Sequence, residues 1–172
     1  MKFAVHQNNV TLFDFRVQGE SHVIDPAALT DLLAKWWFNY DEGHFDVLAG
    51  LLTDDVHFTC RTDTGTVAWA EFARADVSGR DTVMAWQTEH RRNSPYPLRH
   101  HGTNVHIVEQ RDHEATFASY IHVTQVVNEA PASIPGGVVR GAVRQEADGL
   151  RISELAVVLD TMTSAVFATV KA

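Results

Sequence analysis

The first half of the chain repeats apolar residues with the spacing of an α-helix. After Asp25 and Pro26 the apolar positions recur every three or four residues, at Leu29, Leu32, Leu33, Trp36, Trp37 and Tyr40. An aspartate cap, a proline at the first helical position and a terminal glycine, here Gly43, are typical of a helix and its two ends. The pattern therefore predicts a helix from Pro26 to the residue before Gly43, followed by shorter helices over 44–52 and 81–91.

The second half of the chain alternates apolar and polar residues with a period of two, which is typical of half-buried β-strands. The alternation predicts four strands, near 98–109, 114–128, 137–146 and 150–160. A further strand is predicted over 56–61, and residues 62–79 are expected to form a loop with a short helical piece that covers a pocket mouth. Helices first and an antiparallel meander afterwards predict an α+β domain with three helices on one face of a curved sheet.

The length of 172 residues and the composition fit a single globular domain. We assign this domain to 25–172 and assign residues 1–24 to a short β extension that precedes it. The formal net charge is -8 and the 14 lysines and arginines are scattered, so we expect no nucleic-acid partner. No signal-peptide core and no apolar stretch of membrane-spanning length occur, so we expect neither export nor a membrane partner. The single cysteine, Cys60, excludes an internal disulfide and suits a reducing cytoplasm.

Asp41 is the acidic residue with the most suggestive position. It lies one turn after Trp37 at the end of the first predicted helix, where the helix macrodipole disfavours negative charge. Its carboxylate is therefore expected to need a proton or a cationic neighbour. An acid beside a histidine on rigid elements is the minimum required for proton-transfer chemistry. The alternative is that Asp41 caps the helix that starts near His44.

The histidines of the predicted strands divide by the face on which they lie. In the first strand one face carries His100, Gly102, Asn104 and His106, and the other carries His101, Thr103, Val105 and Ile107. The apolar members of the second face favour His101 as the inward residue, whereas the motif described below favours His100. In the next strand His122 shares a polar row with Tyr120 and Thr124, and strand pairing is expected to bring this row close to His100.

Three local motifs resemble the SnoaL-like or NTF2-like superfamily of α+β cones, over about residues 25–162. Residues 40–48, Y-D-E-G-H-F-D-V-L, are similar to the Y-D-x-x-x-x-D-x-L run of scytalone dehydratase and related small dehydratases. Residues 99–104, R-H-H-G-T-N, are similar to the R-H-x-x-x-N strand opening of SnoaL-like domains. Residues 148–152, D-G-L-R-I, resemble the D-G-W-R-I hairpin that leads into the last strand.

The resemblance implies an NTF2-like cone and an acid/base site that contains Tyr40, Asp41, His100 and His122. In the small dehydratases the tyrosine holds a water or the substrate's carbonyl oxygen, although a tyrosine in an apolar helical stripe also packs as a core residue. His100, paired with Asp41, is expected to remove a proton next to a carbonyl while Tyr40 or His122 stabilises the enolate. The predicted function is a cofactor-independent lyase or isomerase, dehydratase-like, that acts on a small cyclic or aromatic hydroxy or carbonyl compound.

The predicted pocket is apolar enough to accept a small hydrophobic ring. Its expected lining is Trp37, Phe58, Trp69, Phe72 and Asn104. No nucleotide cofactor is expected, since neither G-x-G-x-x-G nor the P-loop motif occurs. No metal is expected either: His106 and another strand histidine could join Asp41 in a metal site, but none of the known zinc spacings occurs. The second tyrosine of scytalone dehydratase has no equivalent, because Cys60 stands there, so scytalone itself is not implied as the substrate.

Two other classes of protein fit the same sequence. The resemblance also extends to the small β subunit of ring-hydroxylating dioxygenases, into which residues 51–58 and 152–160 fit. A ligand-binding or assembly module without catalysis is the third possibility. In each case the apolar alternation of the C-terminal strands leaves an outer sheet face to bury, so we expect a homodimer or homotrimer.

Overall fold

The computed structural model describes residues 23–164, so residues 1–22 of the predicted N-terminal extension lie outside the described residues. The helices are α1 (Pro26–Glu42), α2 (Phe45–Gly50), α3 (Ala70–Ala73) and α4 (Arg80–Asn93). The strands are β1 (Leu52–Thr62), β2 (Ala75–Ser78), β3 (Leu98–Arg111), β4 (Glu114–Val127), β5 (Ala130–Glu146) and β6 (Gly149–Leu159). The three longer predicted helices, the short helical piece and the five predicted strands are all present. Most ends differ by a few residues, but β5 begins at Ala130, well before its predicted start at 137.

The described strands form one six-stranded sheet in the order β2-β1-β6-β5-β4-β3. All neighbours are antiparallel except β1 and β6, which run parallel. Bulges interrupt the register between β3 and β4, between β4 and β5, and between β5 and β6, and a bulge bends and twists the strand that carries it. The α+β class with helices on a curved, mostly antiparallel sheet is therefore confirmed.

One element of the sheet was not predicted. Residues 75–78 lie within the segment expected to be a loop, but they form β2 and pair with β1 from His57 to Cys60. A four-residue strand is too short to show a period of its own. It becomes a strand because β1 offers an open edge of backbone hydrogen-bonding groups.

The core lies between α1 and the sheet. The Asp25 side chain accepts a hydrogen bond from the Ala27 N–H at 2.9 Å, and Gly43 ends α1 with a φ of 71°, in the left-handed region that favours glycine. The largest fully buried side chains come from both layers and include Leu29, Leu33, Trp36, Phe117, Val139 and Val143. Each large apolar side chain contributes about 1.5–3 kcal/mol by its burial, so this interface holds α1 on the sheet.

A bulge in β3 decides which of its side chains face α1. The register runs from the pair Thr103–Tyr120 to the pair His106–Ala118, so three steps along β3 match two along β4. Asn104 lies at this point with a φ of 56°, a conformation that asparagine tolerates better than most residues. One extra residue inverts the alternation of faces as far as Ile107, after which a second shift in the register with β4 follows.

The bulge resolves the conflict between the two faces predicted for this strand. Before it, Gly102 faces α1, because a Cβ at this position would lie 3.1 Å from Cδ1 of Trp37. After it, Val105 and Ile107 pack against the same core. Asn104, predicted to share the face of His100 and to line the pocket, is exposed at the bulge, where the strict period of two is interrupted.

Candidate active site

Asp41 and His100 form a hydrogen-bonded pair at the centre of the candidate site. Oδ1 of Asp41 accepts a hydrogen bond from Nδ1 of His100 at 2.5 Å, and Oδ2 accepts one from the His100 backbone N–H at 2.7 Å. The side chains are only 5% and 13% exposed, respectively. Because an ionised carboxylate can only accept hydrogen bonds, the proton of a neutral His100 lies on Nδ1, and Nε2 keeps a lone pair.

Aromatic rings hold the His100 imidazole in place. Trp37 stacks on it with ring centroids 5.1 Å apart and an interplanar angle of 10°, and Tyr40 meets it edge to face at 5.3 Å. Within residues 23–164, Nε2 of His100 has no hydrogen-bond partner, and it is not one of the fully buried unpaired atoms. Nε2 is therefore the atom of this pair that can exchange a proton with a small molecule.

Arg91 anchors the end of α1 that carries Asp41. Its Nε and Nη2 both donate to the backbone carbonyl of Asp41, at 3.0 and 2.8 Å, and its Nη1 donates to the carbonyl of Pro95 at 3.2 Å. The last carbonyls of a helix have no partner within the helix. A buried guanidinium therefore satisfies one of them and places positive charge at the negative end of the α1 dipole.

Tyr40 contacts a histidine from α4 rather than open solvent. Its hydroxyl lies 2.6 Å from Nδ1 of His90. Burial raises the pKa of Tyr40 well above its ordinary value, so the phenol stays protonated. Burial above all, and then the proximity of His100 and Arg91, lowers the pKa of His90 to about 4, so this imidazole is neutral near pH 7.

The His90 ring lies between two other aromatic rings. Trp86 stacks on it with centroids 4.5 Å apart, and Phe72 of α3 stacks on it at 4.4 Å. Phe58 of β1 packs against Trp86 in turn, with ring centroids 5.1 Å apart. A cavity of about 210 Å³ opens beside this cluster, lined by Phe72, Trp86, Glu89, His90 and Asn93.

The predicted pocket residues occupy different places in this arrangement. Trp37 lies against His100, Phe72 lines the cavity beside His90, and Phe58 is buried behind Trp86. Trp69 is half-buried against the core. Cys60 is buried as expected, and burial raises the pKa of its thiol to about 12, so it is a poor nucleophile.

His122 lies on the opposite side of the sheet from Asp41. The inward residues of β4 are Ala115, Phe117, Ser119, Ile121 and Val123. His122 therefore points outward and pairs across the strands with His101, at 6.1 Å between ring centroids. The expectation that its row would lie beside His100 is wrong, because the inward face of β4 carries the apolar residues and the polar row faces outward.

Sequence reasoning missed His90 and Arg91. The spacing of α4 could have indicated His90, because Trp86 lies four residues before it on the same side of the helix. The same side carries the buried residues Val83 and Gln87. The polar residues next to His90 in the sequence made its helix face look solvent-exposed.

No group of three or more histidine, cysteine, aspartate or glutamate side chains within 23–164 is arranged to hold a metal ion. Over the same residues, no helix has the length and apolar character needed to cross a membrane.

A family model connects this site to known proteins. The model of the SnoaL-like domain matches residues 21–156. The chain belongs to the SnoaL-like family. No curated protein matches the chain. The match spans α1 and most of the sheet, so the Asp41–His100 pair lies within the family domain.

Solved structures show the same fold at low sequence identity. An NTF2-like protein with a cystatin-like fold from Novosphingobium aromaticivorans is 20% identical, with a TM-score of 0.66 over 82% of this chain and 84% of that one. A protein provisionally named scytalone dehydratase from the same organism is 15% identical, with a TM-score of 0.63 over 81% and 87%. The β subunit of a provisionally assigned aromatic-ring-hydroxylating dioxygenase, also from this organism, is 14% identical, with a TM-score of 0.64 over 83% and 93%.

Proposed function

We propose that this SnoaL-like chain is a cofactor-independent lyase or isomerase of the dehydratase type, which acts on a small cyclic or aromatic hydroxy or carbonyl compound. The observation that carries the proposal is the pair in which both carboxylate oxygens of Asp41 accept hydrogen bonds from His100. This arrangement holds one tautomer of the imidazole and leaves Nε2 as a positioned base. The likeness to a protein provisionally named scytalone dehydratase is consistent with it.

In the proposed reaction His100 is the base and Asp41 its partner. Nε2 of His100 takes a proton from the carbon next to the substrate carbonyl, and the C–H electron pair forms an enolate. The carboxylate of Asp41, 5% exposed, stabilises the imidazolium that results. The enolate then forms a C=C bond as the C–O bond to the β-hydroxyl breaks, and His100 returns the proton so that water leaves.

A simple β-hydroxy ketone tests the proposal directly. The protein should convert 3-hydroxycyclohexanone to 2-cyclohexenone and water, followed by the absorbance of the conjugated enone. Exchange of α-protons for deuterium in a panel of cyclic and aromatic ketones, followed by NMR, detects the first step even where elimination is absent. His100→Ala should abolish both activities, whereas His101→Ala is the matched control, because His101 lies on the outer face of the sheet beside His122.

Failure of both assays with the wild-type protein would contradict the proposal. The alternative would then be a non-catalytic small subunit of a ring-hydroxylating dioxygenase, or a ligand-binding module. Stable co-purification with a Rieske iron-sulfur α subunit encoded next to this gene would identify the first of these. Sedimentation equilibrium tests the predicted homodimer or homotrimer, and a monomer at all concentrations would contradict that prediction.

A further inference from the structure

The cavity beside His90 has aromatic walls, polar groups from Glu89 and Asn93, and a ring nitrogen of His90 that has no partner among the described residues. Phe72 and Trp86 supply the walls, and the cavity volume is about 210 Å³, larger than the roughly 150 Å³ of a cavity that binds benzene. Nδ1 of His90 is occupied by the Tyr40 hydroxyl. Nε2 of His90 has no hydrogen-bond partner within residues 23–164 and is not among the fully buried unpaired atoms. A molecule in the cavity can therefore reach Nε2.

The contact with Tyr40 bears on which ring nitrogen of His90 carries the proton. Burial keeps the Tyr40 phenol protonated, because it raises the pKa, and keeps the His90 imidazole neutral, because it lowers the pKa to about 4. We take the Tyr40 phenol as the donor in its 2.6 Å contact with Nδ1 of the neutral imidazole. In this arrangement the one proton of the neutral imidazole is on Nε2, and Nε2 presents a hydrogen-bond donor to the cavity.

We infer that His90 is a catalytic residue whose Nε2–H donates to the carbonyl oxygen of a small aromatic or cyclic ketone held against Phe72 and Trp86. The inference rests on the proposed function and supplies what the Asp41–His100 pair lacks, a donor for the oxygen on which the enolate charge develops. A neutral imidazole suits this role, because it polarises a carbonyl without giving up its proton.

Tyr40 connects the two histidines. Its ring meets His100 edge to face at 5.3 Å, and its hydroxyl holds His90. His100 is also close enough for its charge to disfavour protonation of His90. Tyr40 is thus a positioning residue that selects the tautomer of His90, rather than the group that contacts the substrate oxygen.

The ligand class follows from the groups that line the cavity. Flat rings of Phe72 and Trp86 suit a planar ligand, and the carboxylate of Glu89 disfavours an anionic one. A neutral ring with a carbonyl oxygen therefore fits the walls, the volume and the donor that His90 presents.

Two probes of the same shape separate the hydrogen bond from the stacking. Acetophenone carries the carbonyl, and α-methylstyrene replaces the oxygen with a methylene group. The dissociation constants of both are measured by NMR titration for the wild-type protein, for His90→Asn and for His90→Phe. Asparagine keeps an acceptor near the Nδ1 position for Tyr40 but has no donor at Nε2, and phenylalanine keeps the stacked ring.

The ratio of the two dissociation constants measures the contribution of the His90 hydrogen bond. The two probes make the same ring contacts, so the contribution of the ring is equal in both constants. The wild type should favour acetophenone over α-methylstyrene by roughly 2- to 10-fold more than either variant does. Nitrogen-15 shifts of the wild-type imidazole should also show the proton of His90 on Nε2. The control variant is His57→Ala, which should leave the ratio unchanged. His57 is an exposed histidine on β1 that contacts Asp76.

Each outcome supports or overturns the inference. An unchanged ratio in both folded variants, failure of both probes to bind, or a proton on Nδ1 overturns it. If the ratio changes but no turnover or α-proton exchange is found, the His90 site stands and the proposed reaction fails. If turnover depends on His100 but not on His90, the proposed reaction stands and this inference fails.

Discussion

Replacing Asp41 with asparagine is the most informative test of the pair, because it removes the charge with almost no change of shape. The wild-type carboxylate accepts from Nδ1 of His100 at 2.5 Å and from the His100 backbone N–H at 2.7 Å. An amide has one acceptor oxygen and one donor nitrogen. It can therefore accept one of these two hydrogen bonds, and its nitrogen must face the other group.

Both orientations of the new amide are unfavourable for catalysis. If the amide nitrogen faces the backbone N–H of His100, two donors meet in a site that is 5% exposed at Asp41. If it faces Nδ1, that nitrogen must become the acceptor, and the proton moves to Nε2, where the base is needed. We expect kcat/KM to fall by roughly 10²- to 10⁴-fold. The free energy of unfolding should fall by about 1–3 kcal/mol, since a buried hydrogen bond to a charged group is lost.

Three measurements distinguish this explanation from simple unfolding. Elimination of water from 3-hydroxycyclohexanone gives the rate, urea titration gives the stability, and nitrogen-15 shifts give the tautomer of His100. The Asp41→Asn/His100→Ala double variant should be little worse than the worse single variant, because both changes act on one proton transfer. A folded Asp41→Asn protein with a rate within about threefold of wild type would refute the reasoning, as would losses that multiply in the double variant.

Three further predictions concern stability and are checked by urea titration. Because burial lowers the pKa of His90 to about 4, the unfolded chain binds this proton more readily. The free energy of unfolding should then fall on the order of 3 kcal/mol as the pH drops from about 6.5 to about 4, and His90→Phe should lack this fall. Arg91→Leu should cost about 2–3 kcal/mol, since the Asp41 carbonyl loses both donors; a change below about 0.5 kcal/mol would contradict this. Gly141→Ala should cost about 1–3 kcal/mol or more, because its Cβ would lie 2.1 Å from a backbone oxygen, whereas Gly50→Ala meets nothing within 4 Å and should not destabilise.

The elements of the fold were predictable because their signals are local. The Asp25 cap, the proline after it and Gly43 mark the ends of α1 within the sequence itself, and the period of two marks the long strands. The family motif likewise drew attention to Asp41 and His100 before their contact was known. That contact is now a structural observation, whereas the catalytic role of the pair stays a prediction.

The faces of the strands depended on pairing that the sequence does not display. The inserted residue at Asn104 inverts the alternation of β3, so His100 and Val105 face the same core although their parity differs. The position predicted for His122 was wrong for a related reason. A row of polar residues has the same sequence pattern whether it lines a site or faces solvent. Only the register with β3, which pairs His122 with His101, decides between them.

What the sequence determined by itself is the set of helices and long strands and the motif that holds Asp41 and His100. The tertiary structure decided which other groups join them. Tyr40 and His90 are 50 residues apart, and each lies in a helix whose own pattern is satisfied without the other. Their hydrogen bond exists because α1 and α4 pack together, and helix packing depends on the shapes of whole surfaces rather than on any local run of residues.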